Sequence, residues 1–202
     1  MQAQPRLVLA STSKYRAALL ARLGVAFEQA APGVDERAFD ALWDVLSPAG
    51  YALHLARAKA AAVAASCPDA LVLAGDQVGV LEVDGRRVRL DQPGTPERNV
   101  EQLVALAGRT HRLVSGIVLF DARTGREQAH VDEQALTMRP FTRAEAEGYV
   151  ARCAPLDCAG GYRIEDAGIA LFERVVGDDP TGIEGLPLIA VARMLRQHAA
   201  AS

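Results

Sequence analysis

The sequence predicts an α/β protein with a mixed β-sheet flanked by helices. Three observations carry this. Short apolar runs alternate with stretches whose apolar residues recur at helical spacing. Two hairpin signals, Asp84-Gly85 and Thr124-Gly125, interrupt the alternation, so a mixed sheet fits better than a purely parallel one. The chain has 202 residues, half of them apolar and 23% charged, enough for a sizeable core in one domain or two closely joined lobes.

Each element has its own local reason. Arg6 to Ala10 reads as a buried strand, and Ser11 to Ser13 offer hydroxyl caps for a helix from Tyr15 to Leu23 that Gly24 ends. Val25 to Ala30 reads as a second strand, and Pro32-Gly33 as a turn ahead of Asp35-Glu36. Ser47-Pro48 opens an Ala-rich helix to Ser66. Ala70 to Val83 and Arg86 to Leu90 form a hairpin across Asp84-Gly85. Thr95-Pro96-Glu97 opens a helix that stops at Gly108. Arg112 to Asp121 and Ala129 to Arg139 form the second hairpin, and Thr142 opens a helix to about Arg152. Gly160-Gly161 breaks the chain, Ile169 to Val176 reads as a strand, and Leu186 to Gln197 as a helix. No repeat or linker divides the chain, so residues 1–202 read as a single domain.

Composition narrows the function classes. A net charge of −3 argues against a nucleic-acid-coating surface but leaves room for a small anion held by a local cluster of donors. The cysteines, Cys67, Cys153 and Cys158, are odd in number and irregular in spacing, which argues against a disulfide scaffold or a zinc site. Met1 to Arg6 lacks the pattern of a leader peptide, and the apolar stretches are too short to span a bilayer. A cytoplasmic protein with reduced thiols, no membrane partner and no nucleic-acid polymer as partner is the expectation. The sequence is also compatible with a homodimer.

Several segments carry chemistry-bearing residues. The turn Ser11-Thr12-Ser13-Lys14-Tyr15-Arg16 joins a strand to a helix N-terminus, whose unpaired N–H groups and dipole suit a phosphate. Ser11 and Ser13 add hydroxyl donors and Arg16 a fork for two oxyanion oxygens. Taken alone, the segment reads more readily as a simple cap with a surface arginine, and it lacks the P-loop pattern. Asp76, in Gly75-Asp76-Gln77, lies inside an otherwise apolar strand, where a carboxylate is costly unless paired or metal-bound. It reads as a metal ligand or general base, or else as a solvated residue at a strand end. Asp35-Glu36 offers two carboxylates that could join Asp76 around Mg²⁺, or form an ordinary solvated loop. Lys59 is a phosphate contact or a solvated helix charge. The loop from Cys158 through Gly160-Gly161 to Glu165 permits close backbone approach, and Glu165 could accept from a base edge. Gly185-Leu186-Pro187-Leu188 reads as structural, and the four histidines are scattered.

In this order the segments resemble the Maf family of nucleotide pyrophosphatases. The matching residues are Leu9-Ala10-Ser11-Thr12-Ser13 with Arg16, Pro32-Gly33-Val34-Asp35-Glu36, and Ala58-Lys59-Ala60. Gly75-Asp76-Gln77-Val78, Ala159-Gly160-Gly161-Tyr162 and Gly185-Leu186-Pro187-Leu188 follow. The resemblance runs from about Arg6 to Arg196. Gln77 after the aspartate, Leu156-Asp157-Cys158 and Leu171-Phe172-Glu173-Arg174 resemble the branch that acts on 7-methyl-GTP.

The resemblance implies one elongated mixed sheet with a cleft between two lobes, in the Maf/ITPase-like manner. It implies cleavage of the α–β anhydride of a nucleoside triphosphate, giving a monophosphate and pyrophosphate, as in the removal of non-standard nucleotides. Asp76 would be the proton acceptor, Glu36 and Asp76 would hold a divalent cation, Mg²⁺ or Mn²⁺, and Ser11, Ser13, Arg16 and Lys59 would bind the phosphates. Tyr15, Gln77 and Glu165 would set specificity, with Tyr15 stacking on a cationic methylated base. One departure stands out: the family's Gly-Lys-Pro is Asp91-Gln92-Pro93 here. Two other readings stay open, a dTTP/UTP pyrophosphatase and a nucleotide-binding regulator of cell division with little turnover.

Overall fold

The computed structural model of the protein describes residues 5–201; of the stretch Met1–Arg6, read above as lacking a leader pattern, Met1–Gln4 lie outside them. Seven strands form one mixed sheet: β1 (Leu7–Ala10), β2 (Glu28–Ala30), β3 (Leu71–Val83), β4 (Arg86–Leu90), β5 (Thr110–Asp121), β6 (Arg126–Met138) and β7 (Phe172–Val176). Their order is β2-β1-β3-β5-β6-β7, with β4 paired to β3. β1 runs parallel to β2 and β3, while β3 pairs antiparallel with β4 and β6 with β7. Five α-helices accompany them: α1 (Lys14–Ala21), α2 (Pro48–Ser66), α3 (Pro96–Leu106), α4 (Arg143–Cys153) and α5 (Leu188–Ala200).

The predicted caps form. The side chains of Ser13, Ser47, Thr95 and Thr142 each accept a backbone N–H at the start of a helix, and Thr142 with Glu145 completes a reciprocal capping box. Asp84 and Gly85 both take positive φ, 50° and 74°, as the tight β3–β4 hairpin requires.

Two expectations change. Ile169 to Leu171 are not strand: Ala167–Leu171 make a 3₁₀ turn and β7 starts at Phe172. The Arg163 backbone packs on Gly168, where an added Cβ would lie 2.2 Å from the Arg163 carbonyl oxygen, and this folds the chain back before it can join a ladder. The second strand is also shorter than Val25 to Ala30. Gly24, at φ 67°, turns the chain out of α1, and pairing begins only at Glu28.

The described chain divides into two compact units. The first holds the residues through Asp76, Ser115–Asp132, and those from Asp179 onward. Its core includes two apolar clusters among the described residues. Leu9, Leu20, Leu73, Ile117, Leu186 and Val191 belong to one, and Val8, Ala56, Ala60, Val72 and Val118 to the other. The second unit holds Gln77–Val114 and Glu133–Asp178, with Leu103, Leu106, Leu113, Leu136 and Tyr149 almost fully buried. Three of the unit boundaries fall within β3, β5 and β6, and the fourth, at Asp178/Asp179, follows β7.

In the first unit the backbone of α2 lies directly on β5. A Cβ built at Gly116 would sit 2.5 Å from the Ala52 carbonyl carbon and the Leu53 nitrogen. Backbone cannot yield as a flexible side chain does. Gly116→Ala is therefore expected to cost about 1–3 kcal/mol and to lower Tm by several degrees. A thermal melt matching wild type would refute the contact.

Candidate active site

The site is built on α2 and β3 of the first unit. Asp76 lies inside β3, only 5% exposed. The residue before it must be small, because a Cβ at Gly75 would meet the Ile117 side chain at 2.8 Å. Lys59 lies in α2, about two turns beyond Tyr51, and is buried. Its ammonium is 2.6 Å from Asp76 Oδ1 and 2.6 Å from Glu36 Oε1. One buried cation thus joins two carboxylates, one buried and one half exposed.

Glu36 reaches Lys59 because an element with no clear signal in the sequence carries it. Residues Glu36–Trp43 form a 3₁₀ helix. Its aromatic residues anchor it to α2, with Phe39 edge-on to His54 and Trp43 edge-on to Tyr51, at centroid distances of 4.9 Å and 5.5 Å. The adjacent acids therefore part ways. Asp35 caps this helix, accepting the Arg37 N–H, while Glu36 turns to Lys59. The clue in the sequence was the i, i+4 pair Phe39 and Trp43 behind a capping aspartate.

Burial pushes the Asp76 carboxyl above the ordinary carboxylate range, against the lowering pull of Lys59 and Arg16, while Glu36 adds to the rise. A group that holds a proton more readily than usual, beside a cation that can orient it, suits proton transfer.

The turn after β1 carries the other candidate residues of this unit. Ser11 Oγ accepts the Ser13 N–H and Ser13 Oγ the Arg16 N–H, so each hydroxyl keeps its proton to donate. Gln29 holds the Ser11 carbonyl. Arg16 Nε donates to the Gly185 carbonyl at 3.1 Å. Tyr15 is half buried, with the Lys14 ammonium 4.9 Å from its ring centroid.

Gln77 and Glu165 belong to the second unit. Glu165 is exposed, on a loop fixed from both ends. Tyr162 bonds to His111 Nε2 at 2.7 Å and packs edge-on against Phe172. The Tyr149 hydroxyl accepts the Arg163 N–H, and the Arg163 guanidinium reaches Asp166 and the Cys153 carbonyl. His111, one of the scattered histidines, was not legible as this loop's anchor. In the departure segment, Asp91 pairs with Arg89 at 2.7 Å and Gln92 is exposed.

No cluster of three or more His, Cys, Asp or Glu side chains suited to a metal occurs among the described residues. Glu36 and Asp76 nevertheless converge on one cation position, that of the Lys59 ammonium. Two carboxylates sharing a cation with substrate phosphates is a donor set that fits Mg²⁺. All three cysteines are free thiols. No helix among the described residues is long and apolar enough to cross a membrane.

A mixed α/β fold thus brings a helix N-terminus, hydroxyl donors, Arg16 and a buried Lys–carboxylate cluster together in one unit. The Maf-like protein family profile matches residues 6–198, and the chain belongs to the Maf family. Among its relatives is the 7-methyl-GTP pyrophosphatase of Cupriavidus pinatubonensis, 44% identical over 193 residues, covering 96% of this chain and 93% of the relative. The proteins of that name from Burkholderia lata and Xanthomonas axonopodis pv. citri are also 44% identical, over 95% and 96% of this chain and 89% and 96% of their own.

Two outcomes follow. Lys59→Met leaves Asp76 buried without its cation and is expected to cost about 3 kcal/mol at pH 7 by denaturant titration. The variant's folded Asp76 holds its proton above the unfolded carboxylate value, so the deficit should shrink as pH falls and grow as pH rises. A pH-independent deficit would contradict the pairing. In the second unit, burial lowers His111 to about 4 from 6.5. The fold thus favours neutral His111. Its contribution, about 3 kcal/mol, is complete above pH 6.5 and is lost as pH falls toward 4. His111→Gln should flatten that part of the stability profile.

Proposed function

We propose that the protein is a nucleoside triphosphate pyrophosphatase that cleaves the α–β phosphoanhydride, with 7-methyl-GTP or a similarly modified nucleotide as substrate. The observation that carries this is the Glu36–Lys59–Asp76 cluster, whose strand carboxylate is buried and holds its proton more readily than usual. Membership of the Maf family and the name shared by the relatives support it.

On this reading Ser11, Ser13 and Arg16 receive the phosphates, and Lys59 moves from its two carboxylates to an incoming phosphate oxygen. Asp76 takes a proton from a water. The water oxygen bonds to phosphorus at the α–β bridge, the bridging P–O bond breaks, and nucleoside monophosphate and pyrophosphate leave. Glu36 and Asp76 are the residues that would hold a divalent cation, Mg²⁺ or Mn²⁺, which when bound supplies neutralisation of phosphate charge. Tyr15 offers a π-face to a cationic base, and Glu165 and Gln77 offer hydrogen-bond partners to its edge. A second reading, nucleotide binding with little turnover, draws on exposed, neutral Gln92 and the commitment of Asp91 to Arg89.

The test is a panel of 7-methyl-GTP, GTP, UTP and dTTP with Mg²⁺ or Mn²⁺, read as pyrophosphate release. The expected result is fastest turnover of 7-methyl-GTP, with kcat lower by about 10²-fold or more in Asp76→Asn. Tyr15→Ala and Glu165→Gln should narrow the preference over GTP. Tight binding without release would favour the second reading, and preference for UTP or dTTP would reassign the substrate.

A further inference from the structure

We propose that Thr181, with Asp179 behind it, is a positioning residue for Arg16. Together they fix the peptide whose carbonyl carries the Arg16 guanidinium.

The argument starts at the helix that follows. Pro187 occupies the cap position of α5 and supplies no side-chain hydrogen bond to it. The first N–H groups of that helix still need acceptors. They find them upstream in sequence: Leu188 N–H donates to Thr181 Oγ at 2.8 Å and Ile189 N–H to Asp179 Oδ2 at 2.6 Å. Asp179 Oδ1 also accepts the Thr181 N–H at 3.1 Å and lies 2.7 Å from its hydroxyl. The same hydroxyl lies 2.9 Å from the Leu186 carbonyl. Asp179 is 3% exposed and Thr181 7%, so these bonds are shielded from water.

Residues 182 to 186 are closed into a short loop by this latch. Gly185 has φ 91° and donates its N–H to the Gly182 carbonyl. Its flanking neighbour Leu186 is fully buried, and the Thr181 hydroxyl shares its single proton between the Asp179 carboxylate and the Leu186 carbonyl. The Gly185 carbonyl is left to accept Arg16 Nε at 3.1 Å. That bond occupies Nε and spares the two Nη groups, one of them enough to reach an oxyanion and both together able to fork it. The segment Gly185-Leu186-Pro187-Leu188, read from sequence as structural, thus sets where the arginine stands.

The kinetic consequence rests on Arg16 being a phosphate ligand, as proposed above; the geometric claim does not. The full-length protein is ¹⁵N-labelled, and the Arg16 Nε–H signal is assigned by its loss in Arg16→Gln. Hydrogen exchange of that signal and steady-state kinetics on 7-methyl-GTP are compared in Thr181→Val, Thr181→Ser and Asp179→Asn. Exchange should be about tenfold or more faster in Thr181→Val and Asp179→Asn, and near wild type in Thr181→Ser, which keeps the hydroxyl. KM should rise about tenfold in the first two with kcat within about threefold of wild type. Unchanged exchange in both Thr181→Val and Asp179→Asn overturns the proposal, and so does a Thr181→Ser variant as impaired as Thr181→Val. If Thr181→Val is insoluble, Asp179→Asn decides. Faster exchange with no effect of Arg16→Gln on KM upholds the positioning and rejects the phosphate role instead.

Discussion

A lysine ammonium taken out of water is the constraint around which the first unit is organised. Lys59 is tolerable in its buried position only because two carboxylates meet it at 2.6 Å. Each partner in turn requires something of the fold. Asp76 must face α2 from the middle of an apolar strand, which needs Gly75 beside Ile117. The helix must lie close enough to the sheet for a lysine to reach, which Gly116 permits by offering no side chain beneath Ala52 and Leu53. Glu36 must be carried across on a short helix, which two aromatic contacts hold in place. None of these features repays its cost alone; together they concentrate charge where water is scarce, and there each electrostatic contact is strongest.

Local signals made most of the architecture legible. Caps, hairpin glycines and the Pro48 helix start are short-range choices, and the structure places them where the sequence puts them, within a few residues. Asp76 was visible because a carboxylate in a Val- and Leu-rich strand contradicts its surroundings. Its burial beside Lys59 resolves the open question of a solvated strand end. What stayed hidden was tertiary. The 3₁₀ helix Glu36–Trp43 has no strong helix pattern, and its order comes from stacking on α2. The split between Asp35 and Glu36 follows from that stacking and not from either residue's type. The turn at Ala167–Leu171 follows from a backbone contact with Gly168 that no apolar pattern encodes.

The second unit shows the same division between composition and context. His111, Tyr162 and Phe172 lie far apart in sequence, yet they form one aromatic cluster that pins the glycine-rich loop. Asn99 fills the space that Gly161 leaves, so the glycine serves packing as well as conformation. The family resemblance pointed to the loop through Gly160-Gly161-Tyr162, but only the packing shows what anchors it. The exposed Gln92 next to Asp91, itself tied to Arg89, marks where this chain has its own chemistry.

The capping of α5 from Asp179 and Thr181 has a consequence for biogenesis. The β1 strand and the Arg16 turn precede most of the unit in sequence, but the apolar cluster that seats them includes Leu186, Val191 and Met194. A nascent chain stopped short of these residues leaves Leu9, Leu20 and Leu73 without much of their covering, and Arg16 without its carbonyl. The segment around Arg16 is therefore completed only by residues some 170 positions downstream. Seating of the first strand thus depends on contacts of long sequence separation, which are slow to form.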